Sequence, residues 1–246
     1  MPHFQTAALS IPSAAVGSFR RLVELGIALS SEHDHELLLD RILVGTKEIA
    51  RAEGGTLYLR TSDDRLAFHT SINDRLGLRI GAGENHHLDL PPLPLRRDDG
   101  LPNLANVATF AAIRGRTVNI ADVYETGDFD FSGPKIFDQR FGYRSKSILT
   151  VPLKDHRDAV IGIIQLINRQ DPESGAVGPF PPEIVPVIEA LAGLAAVSLE
   201  NQTLLDRQRA LFDALIETLA VAIDKKSPYT GGHCQRVPLI AGLLAR

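Results

Sequence analysis

The chain has 246 residues, of which 44% are hydrophobic and 23% charged, with a net charge of −4 and a pI of about 6.1. This balance excludes a strongly basic surface, so we predict no nucleic-acid polymer as a partner. Its one cysteine, Cys234, excludes an intramolecular disulfide, which is typical of a reducing compartment. No apolar run approaches the roughly 20 residues of a membrane span, and the N-terminal residues lack the pattern of a secretory signal. We therefore predict one or two cytoplasmic domains that are not inserted in a membrane.

Two amphipathic helices are predicted before the first strands. Apolar residues repeat at helical spacing through residues 14–30, which predicts a helix after a loose start at residues 1–12. The domain itself is predicted to begin at residue 17, so residues 1–16 are assigned to a lead-in. Ser31 followed by Asp34 resembles a capping box, so a second helix is predicted to begin at Asp34 or a neighbouring residue. The pair Gly54-Gly55 is predicted to end this second helix, because glycine is common at helix C-termini.

Short elements separated by turn residues are predicted through residue 140. Among them is a loop rich in Gly and Pro, residues 81–103, and so long a loop inside a compact domain is often functional. The predicted elements are strands at 56–60, 66–72 and 76–80, a helix at 104–113 capped by Asn103, a strand at 116–120, and a helix at 134–140.

A β-hairpin is predicted at the centre of the fold. Its two β-rich runs, Ser147–Leu153 and Val160–Ile167, are separated by a charged turn. The second run is apolar at nearly every position, which indicates a central strand covered on both faces. Gln165 interrupts it and, if buried, needs a hydrogen-bond partner from the protein or from a ligand. Gly162 is predicted to allow the close approach of a helix or a ligand.

One long helix is predicted in the C-terminal part of the chain. The helical pattern begins at Glu183 and continues to residue 224. Beyond residue 200 an apolar stripe repeats at near-heptad spacing, which is typical of a signalling or coiled-coil helix. The stripe consists of Leu205, Phe212, Leu215 and Leu219.

Two segments of the chain resemble GAF domains, in particular the branch found in cyclic-nucleotide phosphodiesterases and related bacterial signalling proteins. The first segment reads GYRSKSILTVPLKD…VIGIIQLINR, and the second reads TVNIADVYETGDFDF. The resemblance covers residues 17–200. It implies an α+β fold with a central antiparallel sheet of about six strands. The N- and C-terminal helices would cover one face, and short helices and loops would cover a ligand pocket on the other.

The same resemblance implies a set of ligand-binding residues. In such a pocket aromatic rings could stack on a base, Ser145 could donate to a phosphate, and Asp138 and Gln165 could bind a base edge. The alternative is that the aromatic residues are core, Ser145 caps a strand and Gln165 bonds to a loop. The implied set is Asp138, Phe141, Tyr143, Ser145 and Gln165, with Phe131 and Thr70 as less direct matches.

One family signature is incomplete in this sequence. The pattern NKx(n)Fx3DE is present only as Asn168-Arg169 with Phe180, and Ile184-Val185 replaces the expected Asp-Glu. No arginine is clearly directed at a phosphate. We predict a structural role for Asn168-Arg169 at the end of its strand.

A second resemblance begins at Ala220. The run AVAIDKKSPYTGGHCQRVPLIAGLLA resembles the opening of an HD-GYP domain, a metal-dependent cyclic-di-GMP phosphodiesterase. His233 matches the first metal-binding histidine of that family, which implies an iron- or manganese-type divalent metal in the intact domain. Its other ligands are not in this chain, so we predict no cofactor and no catalysis here. His33, His35 and the pair His86-His87 are predicted to be exposed.

These expectations define two hypotheses. In the first, residues 17–200 sense a small molecule, a cyclic nucleotide being one class, and relay its presence through a linker helix at 201–219. The effector would be the phosphodiesterase that begins at 220–246. In the second, the domain binds nothing and serves as a dimerisation scaffold. Both predict a parallel homodimer through the N- and C-terminal helices, since an apolar stripe outside the sheet needs a partner.

Overall fold

A computed structural model describes residues 24, 26–28, 32, 34–81 and 91–226 of the chain. Of the described residues, those up to Leu199 belong to one compact unit and those from Glu200 onward to a second. Several predicted features lie outside the described residues: the lead-in, most of the first helix, His33, the pair His86-His87, and residues 227–246 with His233.

The predicted helices and strands occur in the predicted order, and two short strands, Leu93–Pro94 and Val177–Gly178, occur where loops were predicted. The helices are α1 (His35–Ala50), α2 (Val107–Arg114), α3 (Ser132–Phe141) and α4 (Val185–Lys226), with a 3-10 turn at Pro182–Ile184. The strands are β1 (Ala52–Arg60), β2 (Arg65–Asn73), β3 (Leu78–Ile80), β4 (Leu93–Pro94), β5 (Val118–Ile120), β6 (Ile148–Lys154), β7 (Val160–Gln170) and β8 (Val177–Gly178).

All eight strands belong to one antiparallel sheet. Its main order is β3-β2-β1-β7-β6-β5, with β4 paired to β2 and β8 paired to β7. The apolar strand β7 therefore lies in the middle, between β1 and β6, which confirms the predicted hairpin and its central position. The prediction for Gly162 needs a correction, because its close neighbours belong to the sheet itself. A side chain at Gly162 would stand 2.6 Å from the Tyr58 carbonyl oxygen.

One face of the sheet, here called the helix face, packs against α1 and the first turns of α4. Alternate residues of β7, Ile164 and Leu166, are fully buried there beside Leu57 of β1. Each fully buried aliphatic side chain contributes about 1.5–3 kcal/mol. The helices contribute Leu38, Leu39, Ile42, Leu43, Ile188, Leu191, Ala192 and Ala195 to the same core.

The opposite face, here called the cavity face, lies under α2 and α3. The alanines of α2 pack against Tyr58 and Ile163, and a second cluster joins Phe131 to Val107 and Ile148. Strand β7 is thus covered on both faces, as its continuous apolar sequence predicts. This arrangement confirms the predicted α+β fold, with terminal helices on one face of the sheet and short helices on the other.

The predicted end of α1 at Gly54-Gly55 is wrong. The helix ends at Ala50, and Arg51 adopts a left-handed conformation (φ 53°) whose N–H donates to the last-turn carbonyls. The two glycines lie inside β1, where a side chain at Gly54 would stand 2.7 Å from the Ile72 carbonyl oxygen. Close strand packing, not helix termination, therefore accounts for them.

The predicted cap of the next helix is also displaced. Asn106 caps α2 by accepting a hydrogen bond from the Ala108 N–H at 2.8 Å. Asn103 instead donates to the Pro94 carbonyl oxygen at 2.9 Å and so holds the loop against β4. The predicted start of α1 is confirmed, but Asp34 itself is the cap, because its side chain accepts from two N–H groups of the first turn. Ser31, the other residue of the predicted capping box, lies outside the described residues.

Helix α4 continues without a break through 42 residues, as predicted. By length and composition the segment Pro182–Ala222 could cross a bilayer, and 33% of its most apolar window is buried within the protein. Since a core helix passes the same test, this is weak evidence for a membrane span. Beyond residue 200 the predicted apolar stripe is exposed, with Phe212 at 56% and Leu215 at 53%.

Candidate functional site

The cavity face contains a cavity of about 310 Å³ between the sheet and the N-terminal parts of α2 and α3. Pockets that bind small molecules have volumes of about 300–1,000 Å³, so this cavity is at the small end of that range. Strands β1, β2, β6 and β7 form its floor. Gly133 and Pro134, in the first turn of α3, form part of its cover.

Aromatic rings form much of the cavity wall. Tyr58 and Phe68 stand side by side on neighbouring strands, with ring centroids 4.6 Å apart. Phe131, which is 4% exposed, and Phe137 line the side formed by α3 and the residue before it. Flat rings of this kind provide stacking surfaces for a planar ligand.

Gln165 extends from the middle of β7 into the cavity lining. Its Oε1 accepts a hydrogen bond from the Tyr58 hydroxyl at 3.3 Å, and its Nε2 donates to Thr150 Oγ1 at 3.1 Å. The protein therefore supplies the partners that a polar side chain in this strand requires. Burial raises the pKa of Tyr58 above its ordinary value, so this phenol stays protonated and can donate to Gln165.

Ser145 also lines the cavity, and its donors bind Asp138. The backbone N–H and the hydroxyl of Ser145 donate to the two oxygens of the Asp138 carboxylate, at 2.8 and 2.9 Å. The Tyr124 hydroxyl donates to the same carboxylate at 2.6 Å. Asp138 is buried and lies outside the cavity lining. It connects α3 to the segment that leads into β6.

Tyr143 belongs to a buried polar cluster with Glu53 and Asn168. The Tyr143 hydroxyl donates to Glu53 Oε2 at 2.6 Å, and Asn168 Nδ2 donates to the same oxygen at 2.9 Å. Asn168 also accepts from the Lys146 N–H at 2.7 Å. Burial, with the hydrogen bond to Glu53, raises the pKa of Tyr143 above its ordinary value. This geometry gives Asn168 the structural role that its sequence position predicts.

Two further residues of the predicted set lie away from the cavity lining. Phe141 is 42% exposed and packs on Phe137, with ring centroids 4.6 Å apart. Thr70 pairs across the strands with Leu57, a member of the helix-face core, and is itself buried. Of the predicted set, the structure brings together Phe131, Ser145 and Gln165 at the cavity. The ligand-binding roles of all seven residues stay predictions.

Several lining residues were not identified from the sequence. Thr56 and Tyr58 alternate with Leu57 along β1, and that alternation was the signal that could have identified them. Glu53, which belongs to the buried polar cluster and not to the cavity lining, could have been identified as a lone acidic residue beside two glycines at the start of a buried strand. The other unidentified polar or aromatic lining residues are Phe68, Ser71, Asn73, Asn106, Asp130 and Phe137.

The described part of the cavity lining contains a negative charge and no positively charged Lys or Arg side chain. Asp130 is the one charged residue among the described residues of the lining, and these include no Lys or Arg. The Asp130 carboxylate accepts from the Ser132 N–H at 2.9 Å, and hydrogen bonds from Ser132 lower the pKa of Asp130. The carboxylate is therefore ionised at neutral pH beside the first turn of α3.

Comparison with curated proteins gives short matches to cyclic-nucleotide phosphodiesterases. A segment of 67 residues is 37% identical to the dual 3′,5′-cyclic-AMP and -GMP phosphodiesterase 11 of Drosophila melanogaster, covering 27% of this chain and 4% of that protein. A segment of 113 residues is 30% identical to the dual 3′,5′-cyclic-AMP and -GMP phosphodiesterase 11A of Takifugu rubripes, covering 45% of this chain and 12% of that protein. The chain thus spans a small part of these relatives.

Solved structures with low sequence identity share the fold. The GAF domain of an Acinetobacter phosphoenolpyruvate-protein phosphotransferase is 14% identical and matches with a TM-score of 0.56, over 78% of this chain and 98% of that one. Free methionine-R-sulfoxide reductase from Neisseria meningitidis is 18% identical, with a TM-score of 0.53 over 82% and 97%. The family model for the GAF domain matches residues 34–199, which is more than half of the chain. The chain therefore belongs to the GAF domain family.

Proposed function

We propose that this GAF domain senses a small planar organic molecule, which it binds in the cavity on the cavity face of the sheet. The observation that carries this proposal is the cavity itself, about 310 Å³ with aromatic walls and neutral polar groups. Aromatic rings stack on a flat ligand, and the amide of Gln165 can bind a polar edge. A domain that served only as a scaffold would have no need of an unfilled space there.

Isothermal titration calorimetry with the whole chain tests binding. The panel contains 3′,5′-cyclic AMP and cyclic GMP, because the curated relatives are named for these compounds, together with nucleosides and free purines. We expect one saturable site, weakened at least tenfold by Gln165→Ala. Gln170→Ala on the same strand is the matched control, because Gln170 is exposed and does not line this cavity. No saturable binding by any panel member at millimolar concentration would contradict the proposal.

We also propose that α4 carries the signal from the cavity to an effector. Gln165 lines the cavity, while its neighbours Ile164 and Leu166 share a core with Leu191 of α4. A shift of β7 on ligand binding would therefore act directly on that helix. Hydrogen exchange of residues 185–199 tests this relay. Unchanged exchange at ligand saturation would contradict it.

The proposed effector is a cyclic-di-GMP phosphodiesterase of the HD-GYP type. Its support is the resemblance of residues 220–246 alone, with His233 as the first metal ligand. In a longer protein with the complete domain, an iron- or manganese-type metal would activate water for attack on a phosphodiester. We expect such a protein to hydrolyse cyclic-di-GMP and His233→Ala to lose both metal and activity. Full activity in that variant would exclude the assignment.

A second candidate function is dimerisation. The observation that favours it is the exposed apolar stripe of α4, in which Leu205, Phe212, Leu215 and Leu219 are 44–56% exposed. Such a stripe is buried when two parallel helices pair. Sedimentation equilibrium should show a dimer that Phe212→Glu dissociates. Ala210→Glu is the control, since it adds the same charge two residues away, off the stripe. A monomeric wild-type chain would exclude this function.

A further inference from the structure

We propose that the ligand of this cavity carries no phosphate or other anionic group and is a neutral, nucleobase-like heterocycle. This inference rests on the proposed function and narrows the class of molecule that the site accepts. Three features of the described residues support it: the charge of the lining, the engagement of the donors at Ser145, and the carboxylate of Asp130 at the first turn of α3.

The first feature is the absence of a cationic side chain from the described part of the lining. Burying an anion without a paired cation is costly, and phosphate sites in proteins are usually built with Arg or Lys. Here the lining side chain that carries charge is a carboxylate, Asp130.

The second feature is that Ser145, the residue predicted to donate to a phosphate, already uses both of its hydrogen-bond donors, the backbone N–H and the hydroxyl. Its N–H and hydroxyl bind the two oxygens of Asp138 at 2.8 and 2.9 Å. A phosphate at Ser145 would have to displace these bonds and would then face the buried carboxylate. Like charges at such short range repel each other, so Asp138 protects this position against anions.

The third feature concerns the first turn of α3, which forms part of the cavity cover. The N-terminus of a helix attracts anions through its free N–H groups and its dipole. Here the carboxylate of Asp130 accepts from the Ser132 N–H at 2.9 Å. The negative charge that would stabilise this helix end is therefore supplied by the protein. Because Asp130 is exposed, solvent screens its repulsion of a ligand phosphate, which is therefore modest.

The groups that remain suit a neutral planar molecule. Tyr58 and Phe131 present aromatic surfaces, and the amides of Gln165, Asn73 and Asn106 are neutral hydrogen-bonding groups in the lining. A heterocycle with donors and acceptors on its edge matches this combination. The chemistry of the lining thus selects the base-like part of a nucleotide and disfavours its phosphate.

Matched pairs of compounds test the inference by calorimetry on the whole chain. The pairs are adenosine with 3′,5′-cyclic AMP and guanosine with 3′,5′-cyclic GMP, which differ by the cyclic phosphate. We expect at least one nucleoside to bind at least tenfold more tightly than its cyclic nucleotide. Tighter or equal binding of the cyclic nucleotide overturns the inference but leaves the proposed binding function intact.

A substitution in the lining provides the second arm of the test. Asp130→Asn keeps an oxygen for the Ser132 N–H but removes the charge, so the preference for the nucleoside should fall at least threefold. Asp128→Asn is the control, because Asp128 is an exposed residue of the same loop that does not line the cavity. An unchanged preference in Asp130→Asn overturns the electrostatic account. If neither pair shows binding, the net charge of any other compound that binds tests the inference: a neutral ligand supports it and an anionic ligand overturns it. If no compound of the panel binds, the proposed binding function itself is contradicted.

Discussion

The two faces of the sheet are built from the same strands and yet differ in what stabilises them. On β7, Ile164 and Leu166 point into the helix face and are fully buried among aliphatic side chains. Gln165, the residue between them, points to the cavity face and lines an open space. Because side chains alternate along a strand, one strand can serve both as core and as the wall of a binding site. The helix face is therefore one closely packed apolar core, whereas the cavity face combines smaller apolar clusters with hydrogen bonds around a cavity.

The largest expected effect comes from truncating the helix face. Ile164→Ala should lower the free energy of unfolding by about 2–5 kcal/mol, because it leaves a cavity in a fully packed core. Ile167→Ala, on the cavity face of the same strand, should cost clearly less, because Ile167 is half-buried and already borders open space. Urea unfolding measures both variants. Equal losses would show that the two faces are equally packed.

The next effect concerns the buried polar cluster of Tyr143, Glu53 and Asn168. Asn168→Ala should cost about 2–3 kcal/mol, because the variant leaves Glu53 buried with fewer partners. Asn168 also has a positive φ of 55°. The variant Asn168→Gly therefore separates the loss of hydrogen bonds from the effect of backbone strain. Glycine should regain about 1 kcal/mol of backbone strain but none of the hydrogen bonds. If chemical denaturation finds either variant as stable as wild type, the cluster does not brace this face.

Enlarging a buried side chain on each face is a further test of the difference in packing between the two faces. Val151→Leu inserts a methylene into the helix face, where Val151 is 1% exposed, and should destabilise by about 1–3 kcal/mol. Val107→Leu is the matched change at the cavity, where the added group can extend into space. It should alter stability by less than about 0.5 kcal/mol and should weaken ligand binding. A similar penalty at both positions would mean that the cavity is closed in solution.

The smallest expected effect is a dependence on high pH. The pKa of Tyr58 is raised by burial, so the unfolded chain loses this proton near the ordinary value of 10.0 while the folded chain retains it. The contribution is fully present below pH 10 and is lost as the pH rises further, by up to about 1.4 kcal/mol per pH unit. Tyr58→Phe should flatten that decline in urea titrations between pH 9 and 11. Parallel declines in both proteins would contradict the prediction.

The fold could be predicted from the sequence to a large extent, because periodicity carries most of that information. The continuous apolar run of β7 correctly indicates a strand with two covered faces, and the helical spacing correctly indicates α1 and α4. Boundaries set by glycine were less predictable. Gly54 could end a helix or allow close strand packing, and only the neighbouring Ile72 carbonyl distinguishes the two.

The site could be predicted less completely, because hydrogen-bond partners are a tertiary property. The predicted set includes three lining residues, Phe131, Ser145 and Gln165. Tyr143, by contrast, donates to Glu53, which is 90 residues away in the chain. No local pattern around Tyr143 reports that partner. Asp138 is likewise engaged by Ser145 and Tyr124, and neither contact follows from spacing alone.

The position of Tyr58 gives the protein a natural optical probe. The chain contains four tyrosines and no tryptophan, so its near-ultraviolet emission comes from tyrosine alone. One of these phenols stands in the cavity wall beside Phe68. A ligand that stacks on the Tyr58 ring should quench or shift the tyrosine fluorescence without any attached dye. Fast screening of compound libraries is thus possible with the unmodified chain.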